Sequence, residues 1–148
     1  GTIHTPGAVK TVYRLLDMGI RPYIIRAAIR AIVGQRLLRR LCPICRLPYQ
    51  VQQNSREGHF LGEAYRLEDI YYHHNPQGCP QCGHTGFIGR IAIHEILCFS
   101  EELSEEPKDK EVGASLISSD CLLSTMREDG IAKALAGEIQ LEELMNIF

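Results

Sequence analysis

The sequence predicts a mostly helical fold with a few strands and a small zinc-binding subdomain. Three observations point there. Two Cys-Pro-x-Cys turns, "CPIC" at 42–45 and "CPQC" at 79–82, stand 33 residues apart. Apolar residues recur at helical spacing near the start and again over the last 30 residues, whereas "RIAIHEI" alternates as a strand does. The chain has 148 residues, 45% hydrophobic and 23% charged, enough for one core or one core and a small appendage.

In "HTPGAVKTVYRLLDMGI", Ala8, Val9, Val12, Leu15 and Leu16 share one helix face, with Lys10, Arg14 and Asp17 opposite. Thr5 is the expected N-cap, Pro6 the first helical residue and Gly19 the terminator. A second helix is expected from Pro22 toward Leu41, although Arg26, Arg30 and Arg40 share its face with Val33 and Leu37. Residues 51–62 read as polar and irregular, and "EAYRLEDIYYHH" as a short helix or a strand. "FIGRIAIHEILCF" is a strand. "SEELSEEPKDKE" is a solvated short helix and linker. The last stretch, "LLSTMREDGIAKALAGEIQLEELMNIF", gives two helices, with Gly130 interrupting the first region and Gly137 ending it.

Six cysteines occur: Cys42, Cys45, Cys79, Cys82, Cys98 and Cys121. Two cysteines three positions apart on a tight turn aim both sulfurs at one ion. Two such turns supply the four corners of a tetrahedron around Zn²⁺, with Zn–S near ~2.3 Å. Four thiolates leave no open position for water, so Cys42, Cys45, Cys79 and Cys82 describe a structural site and not a catalytic one. Disulfides are the main alternative, but the cysteine density is below that of a secreted scaffold. A thioredoxin-type redox pair lacks its strand–helix context. Arg39, Arg40 and Arg46 flank the first pair and could offset the charge of the thiolates. His73, His74 and His84 lie close enough in sequence to replace a cysteine, but four sulfurs already satisfy the ion. His59 and His94 read as ordinary surface or strand residues. Cys98 ends an apolar run and reads as a buried thiol; Cys121 has no partner spacing.

Net charge is −2 but uneven: residues 1–40 carry eight Lys or Arg against one Asp, and residues 95–148 carry thirteen acidic against four basic residues. The basic first third suits an anionic partner, or else the two ends pack against each other. Arg26 and Arg30, well before the first cysteine, suit the partner reading. "YIIRAAIRAIVG" is the nearest approach to a membrane span and is broken by Arg26 and Arg30. No signal peptide is visible. No G-x-x-x-x-G-K-[ST] phosphate loop, dinucleotide turn or nucleophile elbow is present.

Several blocks resemble, in order, the C-terminal part of the type II secretion and type IV pilus assembly ATPases, which are hexameric RecA-like α/β motors. "GTIHTPGA" resembles the family's histidine box. "RLLDMGI" and "VGQRLLRRLCPICRLPY" resemble the approach to its tetracysteine zinc insert, "GCPQCGHTGFIGRIAIHEIL" the exit, and "TMREDGIAKALAGEIQLEEL" the closing helices. The resemblance implies the end of a RecA-like nucleotide domain at 1–41, a zinc module at 42–86, and a strand with a C-terminal helical subdomain at 87–148. It places His4 near the nucleotide phosphates in the intact motor, as its catalytic residue. It implies structural Zn²⁺ here, and ATP with Mg²⁺ only in the intact parent, whose Walker A, aspartate box and Walker B elements would precede Gly1. The chain then reads as a fragment that does not hydrolyse ATP alone. Implied partners are the other subunits of a homo-hexamer and an inner-membrane assembly platform protein. The implied location is cytoplasmic, peripheral at the inner face of the membrane, with no transmembrane segment and no nucleic acid. Secretion, pilus assembly and DNA uptake stay open. Pro6-Gly7 departs from the polar pair usual after the box. Gln140 stands where Thr or Ser commonly caps the last helix, which should cost only cap stability. The alternative is a free-standing zinc ribbon that binds nucleic acid through the basic first third, though only Tyr13 and Tyr23 supply stacking aromatics there.

Overall fold

The computed structural model describes residues 1–99 and 122–148. The expected acidic helix and linker at 100–111, and Cys121, lie outside them. The chain divides into two compact units: residues 1–35 with 94–126, and residues 36–93 with 127–148. Helices and strands mix, and the longest strand, of 12 residues, exceeds the longest helix, of 10, so the expected mostly helical fold is a mixed one among the described residues. No helix among them is long and apolar enough to cross a membrane.

In the first unit, α1 spans Ala8–Asp17 and buries Ala8, Thr11, Val12 and Leu15, the face read from the sequence. It starts later than expected. Gly7 is the N-cap and no side chain of the helix entry caps it. Thr5 instead donates its hydroxyl to the Gly7 carbonyl at 3.2 Å. The cap comes from far along the chain: the Glu95 carboxylate accepts the Ala8 N–H at 2.9 Å, placing negative charge at the positive end of the helix. Gly19, at φ 81, closes α1. Its N–H reaches the Leu16 carbonyl at 2.8 Å, and that of Ile20 reaches Leu15 at 3.1 Å, the double bond of a Schellman end.

The second helix, α2, covers only Pro22–Ala28. The expectation of a helix toward Leu41 is wrong: residues Ala31–Leu41 form strand β1. Ile29 is already extended, at φ −109 and ψ 124, and the β-branched Ile29, Ile32 and Val33 favour that state. Gly34 explains more. A Cβ there would lie 2.9 Å from the Ala8 nitrogen, so β1 passes against the start of α1 closer than any side chain allows. The wheel failed because it spanned two elements: Arg26 belongs to α2, whereas Val33, Leu37 and Arg40 belong to β1. Ala8, Val12, Leu15, Ile25, Leu97 and Phe99 form the core of this unit.

Strand β1 belongs to a three-stranded sheet of order β1-β4-β5, with β4 at Phe87–Cys98 and β5 at Leu122–Ser124. β4 is the strand expected from "RIAIHEI". β5 pairs antiparallel to it, Ile96 opposite Ser124. Cys98, expected buried, is half-buried at the end of β4.

In the second unit, β2 (Leu47–Tyr49) pairs antiparallel with β3 (Tyr71–His73), Tyr49 opposite Tyr71. Between them the supposedly irregular stretch contains α3, Arg56–Leu61, capped by Ser55, whose hydroxyl accepts the Gly58 N–H at 3.0 Å. A 3-10 turn follows at Gly62–Ala64, so "EAYRLEDIYYHH" holds that turn and β3. Helix α4 spans Met126–Leu135 and α5 spans Leu141–Met145. Gly130 does not interrupt α4. It lies inside the helix because a Cβ there would come within 2.9 Å of the Leu144 Cδ2 atom. Gly137 ends the helix as expected, with the Gly137 N–H on Ala134 and that of Glu138 on Lys133, each at 2.9 Å. α5 packs on α3 and β3, and Leu41, Leu61, Tyr71, Ile139, Leu141 and Leu144 are fully buried.

Two substitutions test this description. Glu95→Ala removes the cap of α1 and should cost about 1 kcal/mol, read as a melting temperature lowered by a few degrees. Tyr71 is 1% exposed and its hydroxyl has no hydrogen-bond partner among the described residues, so Tyr71→Phe removes a desolvated polar group without opening a cavity. It should raise the melting temperature or leave it unchanged; a fall of several degrees would mean that the hydroxyl is bonded.

Candidate metal centre

Two turns carry the cysteines. β1 ends at Leu41, and the chain folds back so that the Arg46 N–H meets the Cys42 carbonyl at 3.1 Å. The second turn is a 3-10 turn at Pro80–Cys82, closed by the Cys82 N–H on the Cys79 carbonyl at 3.1 Å and the His84 N–H on the same oxygen at 2.9 Å. The Cys42 N–H donates to the Gly86 carbonyl at 2.9 Å and ties the turns together. Gly78 makes the second turn possible: it sits at φ 59, and a Cβ would lie 2.5 Å from the Cα of His84.

The sulfurs of Cys42, Cys45, Cys79 and Cys82 all lie within 4.8 Å of one another. Cys42 and Cys79 are 3.7 Å apart, Cys45 and Cys82 3.9 Å, and Cys79 and Cys82 3.8 Å. A tetrahedron with Zn–S of ~2.3 Å has edges of about 3.8 Å, so these three edges fit such an ion. The four cysteines could therefore hold a metal. Disulfide bonds do not join them.

The backbone is arranged for thiolates. The N–H groups of Cys79 and Gly86 each point at the Cys82 sulfur at 3.2 Å. Burial of the Cys82 thiol opposes its ionisation, but these donors, with Thr85 and the Cys79 thiol, outweigh it and bring its pKa down to about 6. Burial also opposes ionisation of Cys42, where the N–H groups of Ile44 and Cys45 and the neighbouring thiols prevail and lower it. Burial and the surrounding sulfurs push Cys45 up to about 12. With protons alone the four cannot all ionise together; a cation would remove that conflict. The Gly86 donor was not foreseen, although a Gly four residues after the last cysteine is a visible signal.

His73, His74 and His84 hold other positions. His73 stacks on Tyr49 with ring centres 4.9 Å apart. His74 Nδ1 lies 3.0 Å from Gln140 Oε1, which also accepts the His74 N–H at 3.2 Å. His84 Nδ1 faces the Gln77 carbonyl at 3.3 Å. His59 Nδ1 faces the Ser55 carbonyl within α3, and His94 lies on β4. Gln140 is more than a weak cap. It is 4% exposed and gives α5 no side-chain cap bond, but fastens its start to His74.

The arginines also have partners other than sulfur. Arg39 forms an ion pair with Glu143 and lies over the Phe87 ring, 4.1 Å from its centre. Arg40 meets Glu138 at 3.5 Å. Arg46 donates to the carbonyls of Ala136 and Gly137 and stacks on Tyr72 at 4.3 Å. Among the described residues the partners of all three are oxygens of the C-terminal residues and the rings of Phe87 and Tyr72. For Arg39 and Arg40, basic and acidic ends do pair.

His4, in the first unit, is exposed. It lines an open cavity of about 790 Å³ together with Thr2, Thr5, Arg30 and Gln35.

A family model described as "Type II/IV secretion system protein" matches residues 1–146. The chain belongs to this family. It is 36% identical over 148 residues to the type II secretion system ATPase E of Vibrio cholerae, a match covering 99% of this chain and 28% of that protein. It is 35% identical to the type II secretion system protein E of Aeromonas hydrophila, with the same coverage. It is 34% identical over 146 residues to the type IV pilus assembly ATPase PilB of Thermus thermophilus, covering 97% of this chain and 16% of that one. The chain thus spans little more than a quarter of the length of the type II relatives.

Gly78→Ala tests the turn that brings the second pair in. A left-handed φ costs a side chain about 1–2 kcal/mol, and the overlap with His84 adds to it. The expected outcome is a melting temperature lowered by more than that produced by Gly83→Ala, where the φ is similar but a Cβ meets nothing within 4 Å.

Proposed function

We propose that this chain is the metal-stabilised C-terminal region of an ATP-driven motor serving type II secretion, type IV pilus assembly or a DNA-uptake pseudopilus. The observation that carries the reading is a cluster of four sulfurs within 4.8 Å of one another, three of their separations matching the edges of a zinc-sized tetrahedron, in a chain of the secretion family. Cys42, Cys45, Cys79 and Cys82 would hold Zn²⁺, which supplies cross-linking and charge compensation, not chemistry, because a four-sulfur site is closed. The region packs beside a RecA-like nucleotide domain, contacts neighbouring subunits of a hexamer, and offers its metal lobe to an assembly platform at the inner face of the cell membrane. In that setting His4 would face the phosphates of ATP bound with Mg²⁺ by residues outside this chain. The names of the relatives support this assignment. The zinc-ribbon alternative has no comparable support, since Arg39, Arg40 and Arg46 are already engaged with acidic, carbonyl and aromatic groups.

Elemental analysis of the freshly reduced chain should find one zinc per molecule, and Cys42→Ser or Cys82→Ser should abolish retention after dialysis. Affinity should fall on acidification, because binding displaces thiol protons. A zinc content near zero would overturn the metal assignment. The chain alone should release no phosphate from ATP, since its sequence contains no phosphate-loop motif. A steady rate lost on His4→Ala would contradict this.

A further inference from the structure

The two residues that flank the first cysteine turn, Leu41 and Arg46, both reach one short stretch, the turn between α4 and α5. The Leu41 N–H, next to Cys42, donates to the Glu138 carbonyl at 2.8 Å. Arg46, next to Cys45, donates one guanidinium nitrogen to the carbonyls of Ala136, at 3.2 Å, and Gly137. These oxygens follow directly on the last turn of α4, at the negative end of the helix, where a cation is favoured. The Tyr72 ring lies across the guanidinium at 4.3 Å and fixes its plane. Gly137 completes the fit: a Cβ there would come within 2.6 Å of the Arg46 Cζ and 2.8 Å of the Tyr72 ring. Further along, Gln140 is held by His74.

We propose that Arg46 is the positioning residue through which metal occupancy fixes the α4–α5 turn, so that the C-terminal helices keep their place only while the cysteine turn is closed. This rests on the metal assignment above. The physical basis is that Arg46 and Leu41 sit on the backbone that the cysteines fold. When the first turn opens, the Arg46 guanidinium loses its aim, and the carbonyls of 136 and 137 lose their shared donor. A lysine, with one compact ammonium, keeps the charge but not the flat stack on Tyr72 that fixes the donor's direction.

Hydrogen-exchange mass spectrometry on the zinc-loaded and chelated chain tests this, with Arg46→Ala, Arg46→Lys and Gly137→Ala alongside and zinc stoichiometry measured for each. Chelation should speed exchange about tenfold at residues 136–146 as well as around the cysteines, the size expected for losing a charge-assisted hydrogen bond. With zinc still bound one to one, Arg46→Ala and Gly137→Ala should show that faster exchange at 136–146 already, and Arg46→Lys should rescue it only in part. If zinc binds but its removal leaves 136–146 unchanged, or if Arg46→Ala protects that stretch as well as the native chain does, this proposal is overturned and the metal assignment stands. A chain that takes up no zinc overturns both.

Discussion

Four sulfurs brought to within 4.8 Å of one another form an arrangement that protons alone hold poorly. Ionised, they repel; protonated, they are poor acceptors for the N–H groups of Cys79 and Gly86 aimed at the Cys82 sulfur. The second unit is organised around this constraint. Cys82 takes two N–H groups and tends to ionise, while Cys45 resists it. A divalent cation at the centre satisfies both. The turns that carry the sulfurs are also the ends of longer elements. β1 feeds the first turn and β4 leaves the second, so the two cysteine turns stand where β1 ends and where β4 begins.

Arginine then carries that order outward. Arg39, Arg46 and Arg127 each lie over an aromatic ring, Phe87, Tyr72 and Phe60. Each also donates to a carboxylate or carbonyl. Such a side chain joins three groups at once: the ring beneath it, the oxygen in its plane and its own backbone. The cation suits the aromatic face and the fork suits the oxygens. Because these contacts use donor direction and flat surface, they help to locate elements too short to be fixed by many backbone hydrogen bonds of their own. α5 has five residues and β2 and β3 three each.

The sequence was most legible where the signal is local. The cysteine turns, the buried face of α1, its glycine end, the strand at 87–98 and the Gly137 terminus could all be read from neighbouring residues. What failed depended on residues far away. Residues 31–41 looked helical because their arginines and apolar groups fit a wheel poorly but not impossibly. The strand is decided by β4 beside it and by α1 pressing on Gly34. Gly130 looked like a break because nothing nearby shows Leu144 filling its missing side chain. Thr5 looked like the cap because Glu95 is 87 positions from Ala8. α3 is different: Ser55 was a local cap signal and was overlooked amid polar neighbours. At the site, the ligands were evident from spacing, whereas the tasks of Arg39, Arg46 and Gln140 required knowing what the C-terminal helices bring alongside.

The 33 residues between the two cysteine pairs have a consequence for the order of assembly. α1, α3 and α4 close with contacts a few residues apart, and such helices form in well under a millisecond. Bringing Cys45 to Cys79 instead closes a long loop, at an entropic cost on the order of 3 kcal/mol, before any sulfur gains a partner. Each turn is preshaped by its proline, so two ready half-sites meet instead of four independent ligands. The nascent chain therefore carries its first cysteine pair alone until the second emerges, a two-ligand interval in which metal can be captured weakly and lost again.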